Sequence, residues 1–174
     1  MTDSALPKRP IPPILAFVGW HNSGKTTLVC AVVAEIKRLG YRVAVVKSSS
    51  KTGVVFDSPG TDTSRHKAAG ADMVMLVAPD QMCLQTRAVD ISLKVLVEQY
   101  LCDVDIVIAE GFKRSEDIAK IEVFVDRDQR LRDQVSGVIA VATNCDCSSD
   151  LPVFRLDQAA AIAGFLEQRF LHRN

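Results

Sequence analysis

The sequence predicts an α/β fold with a mostly parallel sheet and helices on both of its faces. Three observations support this prediction. Short apolar runs of strand length alternate along the chain with segments of helical periodicity. The first apolar run is followed directly by a glycine-rich loop and an amphipathic helix. The chain has 174 residues, of which 48% are hydrophobic and 24% charged, and this suits one globular domain with a single core.

The elements follow from local patterns, taken in chain order. Residues 1–12 contain several prolines and are predicted to be a flexible lead-in to a single domain spanning residues 1–174. The run 14–18 is apolar throughout and ends at a glycine, as expected of a strand buried on both faces. The helix after it has apolar residues on one face and stops at Gly40. Strands are predicted over 14–18, 42–47, 73–78, 82–86, 104–109, 121–125, 135–142 and 153–155, with a further short strand at 54–56, and helices over 23–39, 61–70, 91–100 and 158–170.

Charge and cysteine content exclude several classes of protein. Lys plus Arg total 21 and Asp plus Glu total 21, so the chain lacks the basic surface typical of nucleic-acid binding or of a polybasic membrane anchor. No apolar run approaches the roughly 18 residues that a membrane-spanning helix needs. The five cysteines are scattered and odd in number, which does not fit a disulfide-linked secreted domain. We therefore expect a cytoplasmic protein with no membrane and no nucleic-acid partner.

The strongest motif is a phosphate-binding loop. Residues 19–26 read Gly-x-x-x-x-Gly-Lys-Thr, a full match to the P-loop pattern, between a buried strand and an amphipathic helix. Gly19 and Gly24 allow a tight turn whose amides converge on phosphate oxygens, and the helix adds its positive N-terminal end. Lys25 can reach the β- and γ-phosphates, and the Thr26 hydroxyl can bind Mg²⁺. The nucleotide-binding residues predicted in this region are Gly19, Asn22, Ser23, Gly24, Lys25, Thr26 and Thr27.

Two acidic residues are candidates for completing the metal site. Glu110 follows the apolar strand 104–109, and carboxylates at the C-terminal ends of parallel strands lie where such sheets bind ligands. It could hold Mg²⁺ or orient an attacking group, and the alternative is an ordinary carboxylate at a strand end. Asp57 begins an Asp-x-x-Gly sequence of the kind that nucleotide switches use, and here the alternative is a simple turn. Thr26, Glu110 and Asp57 are thus the predicted metal ligands, and Glu110 is the candidate catalytic residue.

The turn after the strand 135–142 is a candidate base-recognition site. It reads Thr143-Asn144-Cys145-Asp146. Guanine-specific nucleotide-binding proteins carry Asn or Thr, then Lys, any residue and Asp at this point, and the Asp accepts hydrogen bonds from guanine. Asn144 stands where the Lys would be, so the match is partial, and a solvated turn is the alternative. The pattern favours guanine over adenine and assigns Thr143, Asn144 and Asp146 to the nucleotide.

Several of these segments together resemble the molybdopterin-guanine dinucleotide biosynthesis protein B (MobB) family. They are the loop 19–27, the strand ending in Val46-Lys47, residues 57–72 (DSPGTDTSRHKAAGAD) and residues 105–113 (DIVIAEGFK). The resemblance implies a dimeric adaptor that binds GTP and Mg²⁺ and acts beside the guanylyltransferase of molybdenum-cofactor synthesis or another partner in molybdoenzyme maturation. It also implies weak or no GTPase activity. One departure is clear: many family members have histidines after that Lys, where this chain has Ser48, Ser49 and Ser50.

Two other functions remain open from the sequence. A small-molecule kinase or ATP-dependent ligase on a P-loop scaffold would need an arginine-rich lid, and Arg127, Arg130 and Arg132 could supply one, although acidic residues alternate with them. A metallochaperone GTPase would need a Cys/His ligand cluster, for which the sequence offers only Cys145 and Cys147.

Overall fold

A computed structural model of the chain describes residues 10–87, 91–131 and 134–171. Most of the predicted lead-in, residues 1–9, lies outside these described residues. The chain divides into two compact units. The first is formed by the residues up to Ser48 together with those from Ser92 onward, and the second by Ser49–Ile91. The single-domain organisation stays a prediction.

Eight strands and four α-helices make up the described chain. They are β1 (Ile14–Val18), α1 (Lys25–Arg38), β2 (Val43–Lys47), α2 (Asp62–Ala68), β3 (Met73–Val77), β4 (Met82–Thr86), α3 (Leu93–Tyr100), β5 (Ile106–Glu110), β6 (Ala119–Val123), β7 (Val138–Ala142), β8 (Val153–Phe154) and α4 (Ala159–Phe170). None of these helices has the length and apolar character that would let it cross a membrane.

The first unit is built on a six-stranded sheet in the order β2-β5-β1-β6-β7-β8. Every neighbouring pair in this sheet is parallel. Leu15 and Phe17 of β1 belong to one buried apolar cluster, which α1 and α4 cover. Ala16 and Val18 point into a second cluster, which contains Leu93 and Val97 of α3. Because both faces carry helices, the predicted α/β fold is confirmed, and the carboxyl ends of β1, β2 and β5 lie side by side.

The second unit contains α2 and an antiparallel hairpin, in which β3 pairs with β4 from Met73↔Thr86 to Val77↔Met82. Thr61 caps α2, because its hydroxyl accepts a hydrogen bond from the Ser64 amide at 3.2 Å. The hairpin and its helix were both predicted. The short strand expected at 54–56 was wrong: these residues form no strand, and the Phe56 side chain is 82% exposed.

The charge-dense segment between residues 113 and 133 contains an unexpected buried part. Lys120 and Glu122 lie on β6 and are fully buried, although charged residues usually stay in solvent. Lys120 Nζ donates to the Ser136 carbonyl at 2.7 Å, and the Glu122 carboxylate accepts from the Leu131 amide. Both are buried because β6 is an inner strand of the sheet, covered on each face, and local charge density does not reveal that position.

Candidate functional site

The phosphate loop connects β1 to α1 with a backbone that its glycines make possible. At Gly19, a Cβ atom would lie 2.1 Å from the Val123 carbonyl oxygen of β6, so no side chain fits at this position. Gly24 is the N-cap of α1 and has φ +81°, and Asn22 has φ +60°. Both values lie in the left-handed region, which glycine and asparagine adopt most easily. The loop therefore packs directly against the neighbouring strand before it turns into the helix.

The amino end of α1 provides positive potential at this loop. The first turn of α1 contains no acidic residue, and Gly24 provides no side-chain cap. The positive end of the helix dipole is thus left for an external anion. Lys25 Nζ donates to Ser23 Oγ at 3.1 Å and to the Trp20 carbonyl oxygen, so its ammonium group lies folded over the loop. This arrangement suits a phosphate group.

Three side chains meet where β2, β5 and α1 come together. Thr26 Oγ1 donates to Glu110 Oε1 at 2.7 Å, and Lys47 Nζ donates to the same carboxylate oxygen at 2.8 Å. Lys47 Nζ also lies 3.3 Å from Thr26 Oγ1. The sheet register explains the meeting, because Lys47 and Glu110 are paired final residues of β2 and β5. The structure therefore brings together Thr26 and Glu110, two of the three predicted metal ligands.

The charged groups of this cluster shift one another's pKa values. Burial raises the pKa of Glu110, but hydrogen bonds from Lys47 and Thr26 and the charges of the nearby lysines lower it by more, so the pKa ends below its ordinary value. Burial lowers the pKa of Lys25, while the charge of Glu110 raises it. The ammonium groups of Lys47 and Lys113 lower the pKa of Lys25 further, and the net shift is downward. Three ammonium groups thus face a region with one carboxylate, which favours a polyanionic ligand.

The donor set at this cluster fits Mg²⁺. A carboxylate and a hydroxyl are hard oxygen ligands, and Mg²⁺ in phosphate-binding sites commonly takes one or two such ligands together with phosphate oxygens and water. Thr26 and Glu110 would hold the ion beside the loop, where it would neutralise charge on a bound polyphosphate.

Asp57, the third predicted metal ligand, lies in the second unit. Its carboxylate accepts hydrogen bonds from Thr61 Oγ1 at 2.9 Å and from Thr63 Oγ1 at 2.5 Å. The hydroxyls of Thr63 and Thr61, in that order, lower the pKa of Asp57 below its ordinary value. These contacts all lie within the second unit and account for the side chain's position as part of the turn before α2. Its role as a metal ligand stays a prediction.

The predicted base-recognition turn lies beside the phosphate loop. Thr143 is buried, and its hydroxyl accepts from the Cys145 amide at 3.1 Å. Asn144 Oδ1 accepts from the Leu156 amide at 3.0 Å, and the Leu156 side chain reaches within 4.0 Å of the Cβ position at Gly24. The Asn144 side chain therefore fixes the segment after β8 next to the loop. The Asp146 side chain is fully exposed, with its Oδ2 3.9 Å from Arg127 Nη2, and so remains accessible to a ligand.

Two lysines of the site, Lys47 and Lys113, were not predicted as site residues from the sequence. Lys47 is the last residue of β2, and a charged side chain directly after an apolar run, the pattern that indicated Glu110, could have indicated it. Lys113 lies three residues beyond Glu110, and its Nζ is 4.7 Å from the centroid of the ring of Trp20, a residue of the phosphate loop, which is a cation–π contact. Neither contact follows from the P-loop pattern, because both depend on how the loops after β1, β2 and β5 fold.

Three of the residues considered for the other two functions, Arg127, Arg130 and Cys145, have contacts of their own in the described chain. Arg127 faces Asp146, and the Arg130 guanidinium lies 5.5 Å from the centre of the Phe124 ring, while Arg132 lies outside the described residues. Cys145 Sγ lies 3.0 Å from the Val125 carbonyl. In the described parts of the chain, His, Cys, Asp and Glu side chains form no group of three or more that could hold a metal ion.

Comparisons with known proteins agree on one family. The family model of molybdopterin guanine dinucleotide synthesis protein B, MobB, matches residues 14–144. The chain is similar to molybdopterin-guanine dinucleotide biosynthesis adapter proteins. The protein of Haemophilus influenzae is 32% identical, and the match covers 92% of this chain and 90% of that protein. The protein of Escherichia coli is 28% identical, and the match covers 93% of this chain and 95% of that protein. The crystal structure of Bacillus subtilis MobB superposes with a TM-score of 0.74 at 25% identity, covering 90% of this chain and 97% of that one. The chain therefore belongs to the MobB family.

Proposed function

We propose that this protein is a GTP-binding adaptor in molybdopterin guanine dinucleotide biosynthesis, and that it binds the nucleotide together with Mg²⁺. One observation carries the nucleotide part of the proposal: Lys25, Thr26, Lys47 and Glu110 converge at the amino end of α1. The adaptor part is supported by membership of the MobB family and by the similarity to molybdopterin-guanine dinucleotide biosynthesis adapter proteins.

A nucleoside triphosphate is the ligand that best fits the charges of the site. The loop amides and Lys25 would bind the β- and γ-phosphates, and Thr26 and Glu110 would hold Mg²⁺ against them. Guanine is favoured by the turn 143–146, since the Asp146 carboxylate is fully exposed and could accept from the two donors on the Watson–Crick edge of guanine. Adenine presents no such pair of donors at that edge. Thr143 and Asn144 would shape the turn around the base.

A slow or absent GTPase reaction fits the state of Glu110. Its Oε1 accepts hydrogen bonds from Thr26 and Lys47, and the proposed Mg²⁺ would use the same carboxylate as a ligand. A carboxylate engaged in this way is a poor general base for activating water. We therefore propose that nucleotide binding, rather than turnover, is the working step, and that it controls association with the guanylyltransferase or with another partner in molybdoenzyme maturation.

We also propose that the protein acts as a homodimer in the cytoplasm. The hairpin of the second unit supports a dimer, because its strands expose large apolar side chains, among them Met75 at 53% and Val77 at 70%. Apolar patches of this kind usually mark interaction surfaces. The five cysteines, all free, support a reducing compartment.

Substitution of Lys25 by Ala tests the site. We expect Lys25→Ala to weaken GTP binding at least 100-fold, because the loop loses the ammonium group that faces the phosphates. The fold should remain, since the hydrogen bonds of Lys25 stay within its own loop. Calorimetric titration with GTP, ATP and GDP, each with and without Mg²⁺, measures the effect and the base preference.

Lys37→Ala is the matched control, because it removes the same charge from the last turn of the same helix. It should bind GTP as the unsubstituted protein does. Unchanged GTP affinity in Lys25→Ala would contradict the site assignment, and a preference for ATP would contradict the role given to the turn 143–146.

A further inference from the structure

The ammonium group of Lys47 sits between the two groups that would hold Mg²⁺. Its Nζ lies 2.8 Å from Glu110 Oε1 and 3.3 Å from Thr26 Oγ1, and these two oxygens are themselves 2.7 Å apart. The three atoms form a closed triangle. The protein thus supplies a cation of its own at the meeting point of a carboxylate and a hydroxyl.

We propose that Lys47 is a resident counter-ion of this site, which Mg²⁺ displaces from Glu110 and Thr26 when metal and nucleotide bind. The proposal rests on the proposed function, because it requires a nucleotide on the same loop. A magnesium ion needs its oxygen ligands at about 2.0–2.1 Å in octahedral geometry. An ammonium group bonded to the same two oxygens would repel it at short range, so one cation has to leave.

Lys47 is the member of the triangle that can move. Its side chain is 57% exposed, whereas the side chain of Glu110 is 9% exposed. Lys47 ends the edge strand β2 and carries its charge on a flexible four-carbon stem. Thr26 is fixed in the first turn of α1, and Glu110 ends an inner strand. The ammonium group can therefore leave without any change in the backbone.

In its present position the ammonium group of Lys47 also lies beside the phosphate loop. Its Nζ is 3.3 Å from Thr26 Oγ1, and Thr26 directly follows Lys25 at the start of α1. In the absence of metal, Lys47 would supply positive charge to the phosphates from its present position. Lys47 and Mg²⁺ are then alternatives, and each reduces the contribution of the other.

The test compares nucleotide affinity with and without metal. The measured quantity is the ratio of the Kd for guanylyl imidodiphosphate in EDTA to its Kd in saturating Mg²⁺, determined by calorimetry. We expect Lys47→Met to raise this ratio at least tenfold. Binding without metal weakens because a cation is lost, and binding with metal no longer includes the displacement of an ammonium group. Lys47→Arg retains the charge and should keep the ratio within about threefold of the unsubstituted protein.

Lys113→Met is the matched control, because the charge of Lys113 also acts on Lys25 while its ammonium group lies over the Trp20 ring. It should raise both Kd values together and leave the ratio within twofold. A ratio that is unchanged or lower in Lys47→Met would overturn the inference, since Lys47 would then act independently of Mg²⁺ or together with it. Failure of the unsubstituted protein to bind the nucleotide in either condition would overturn the proposed function itself. Thermal melting of each variant checks that it folds.

Discussion

Strands β1 and β3 have similar apolar sequences, ILAFV and MVMLV, but very different environments. In β1, the last four residues are fully buried, because the strand has a parallel neighbour on each side and helices over both faces. In β3, Met73 is 54% exposed and Val77 is 70% exposed, and the strand has one antiparallel partner in its sheet. Both of these apolar runs form strands, but the burial of each strand depends on what packs against it.

The prediction with the largest expected effect tests this contrast by replacing one leucine by alanine in each strand. Leu15→Ala, in β1, should lower the free energy of unfolding by about 2–5 kcal/mol, because it leaves a cavity in a packed core. Leu76→Ala, in β3, should lower it by less than about 1 kcal/mol, since Leu76 is 51% exposed. Chemical denaturation of both variants at low protein concentration provides the comparison.

The same pair of variants tests the proposed homodimer. If β3 lies in a dimer interface, the cost of Leu76→Ala rises with protein concentration, because association then contributes to stability. The cost of Leu15→Ala should change little over the same range. Equal costs for the two variants at low concentration would show that the hairpin is as well packed as the central sheet, which would contradict the contrast.

Glu110 and Asp57 extend the comparison to two carboxylates, each with its pKa held below the ordinary value. Glu110 is nearly buried among lysines of the first unit, whereas Asp57 is bound by threonine hydroxyls in the second. A carboxylate whose pKa is lowered by folding stabilises the protein above its unfolded pKa. That stabilisation is lost as the pH falls through the folded pKa.

The second prediction in order of size is therefore the pH dependence of Glu110→Gln. Near neutral pH this variant should be less stable by about 1 kcal/mol, because Lys47 and Thr26 lose a charged acceptor. The difference should shrink only as the pH falls below the ordinary glutamate pKa of 4.5 and approaches the lowered pKa of the folded state, where the unsubstituted protein also loses the charge of Glu110. Urea titrations at several pH values measure it, and a difference independent of pH would contradict the role of the charge.

The smallest expected effect concerns Asp57. Thr63→Val should raise the pKa of Asp57 toward its ordinary value, because the carboxylate loses the hydroxyl that lowers its pKa most, and should leave the free energy of unfolding almost unchanged. NMR titration of the Asp57 carboxyl carbon follows the pKa directly. Thr61→Val should raise the pKa less, because the Thr63 hydroxyl has the larger influence. An equal or larger effect of Thr61→Val would contradict this assignment.

Much of the fold and part of the site could be predicted from the sequence. The P-loop pattern and the alternation of strands and helices gave the parallel sheet, and the placement of Glu110 at a strand end indicated its position beside Thr26. The error at 54–56 has a physical cause: the run Val54-Val55-Phe56 has strand propensity, but pairing partners decide whether a strand forms. The burial of Lys120 could not be predicted either, because Lys120 lies in a charge-dense segment and only the inner position of β6 buries it.

The sequence alone determined the class of fold, the presence of the P-loop pattern and the family, since each depends on residue types at fixed local spacing. Only the tertiary structure decided which residues meet Lys25 and Thr26. Lys47 and Glu110 are 63 residues apart, and they touch because β2 and β5 pair in parallel register and end at the same level. Such a meeting depends on the order of strands in the sheet, a long-range property that no local spacing encodes.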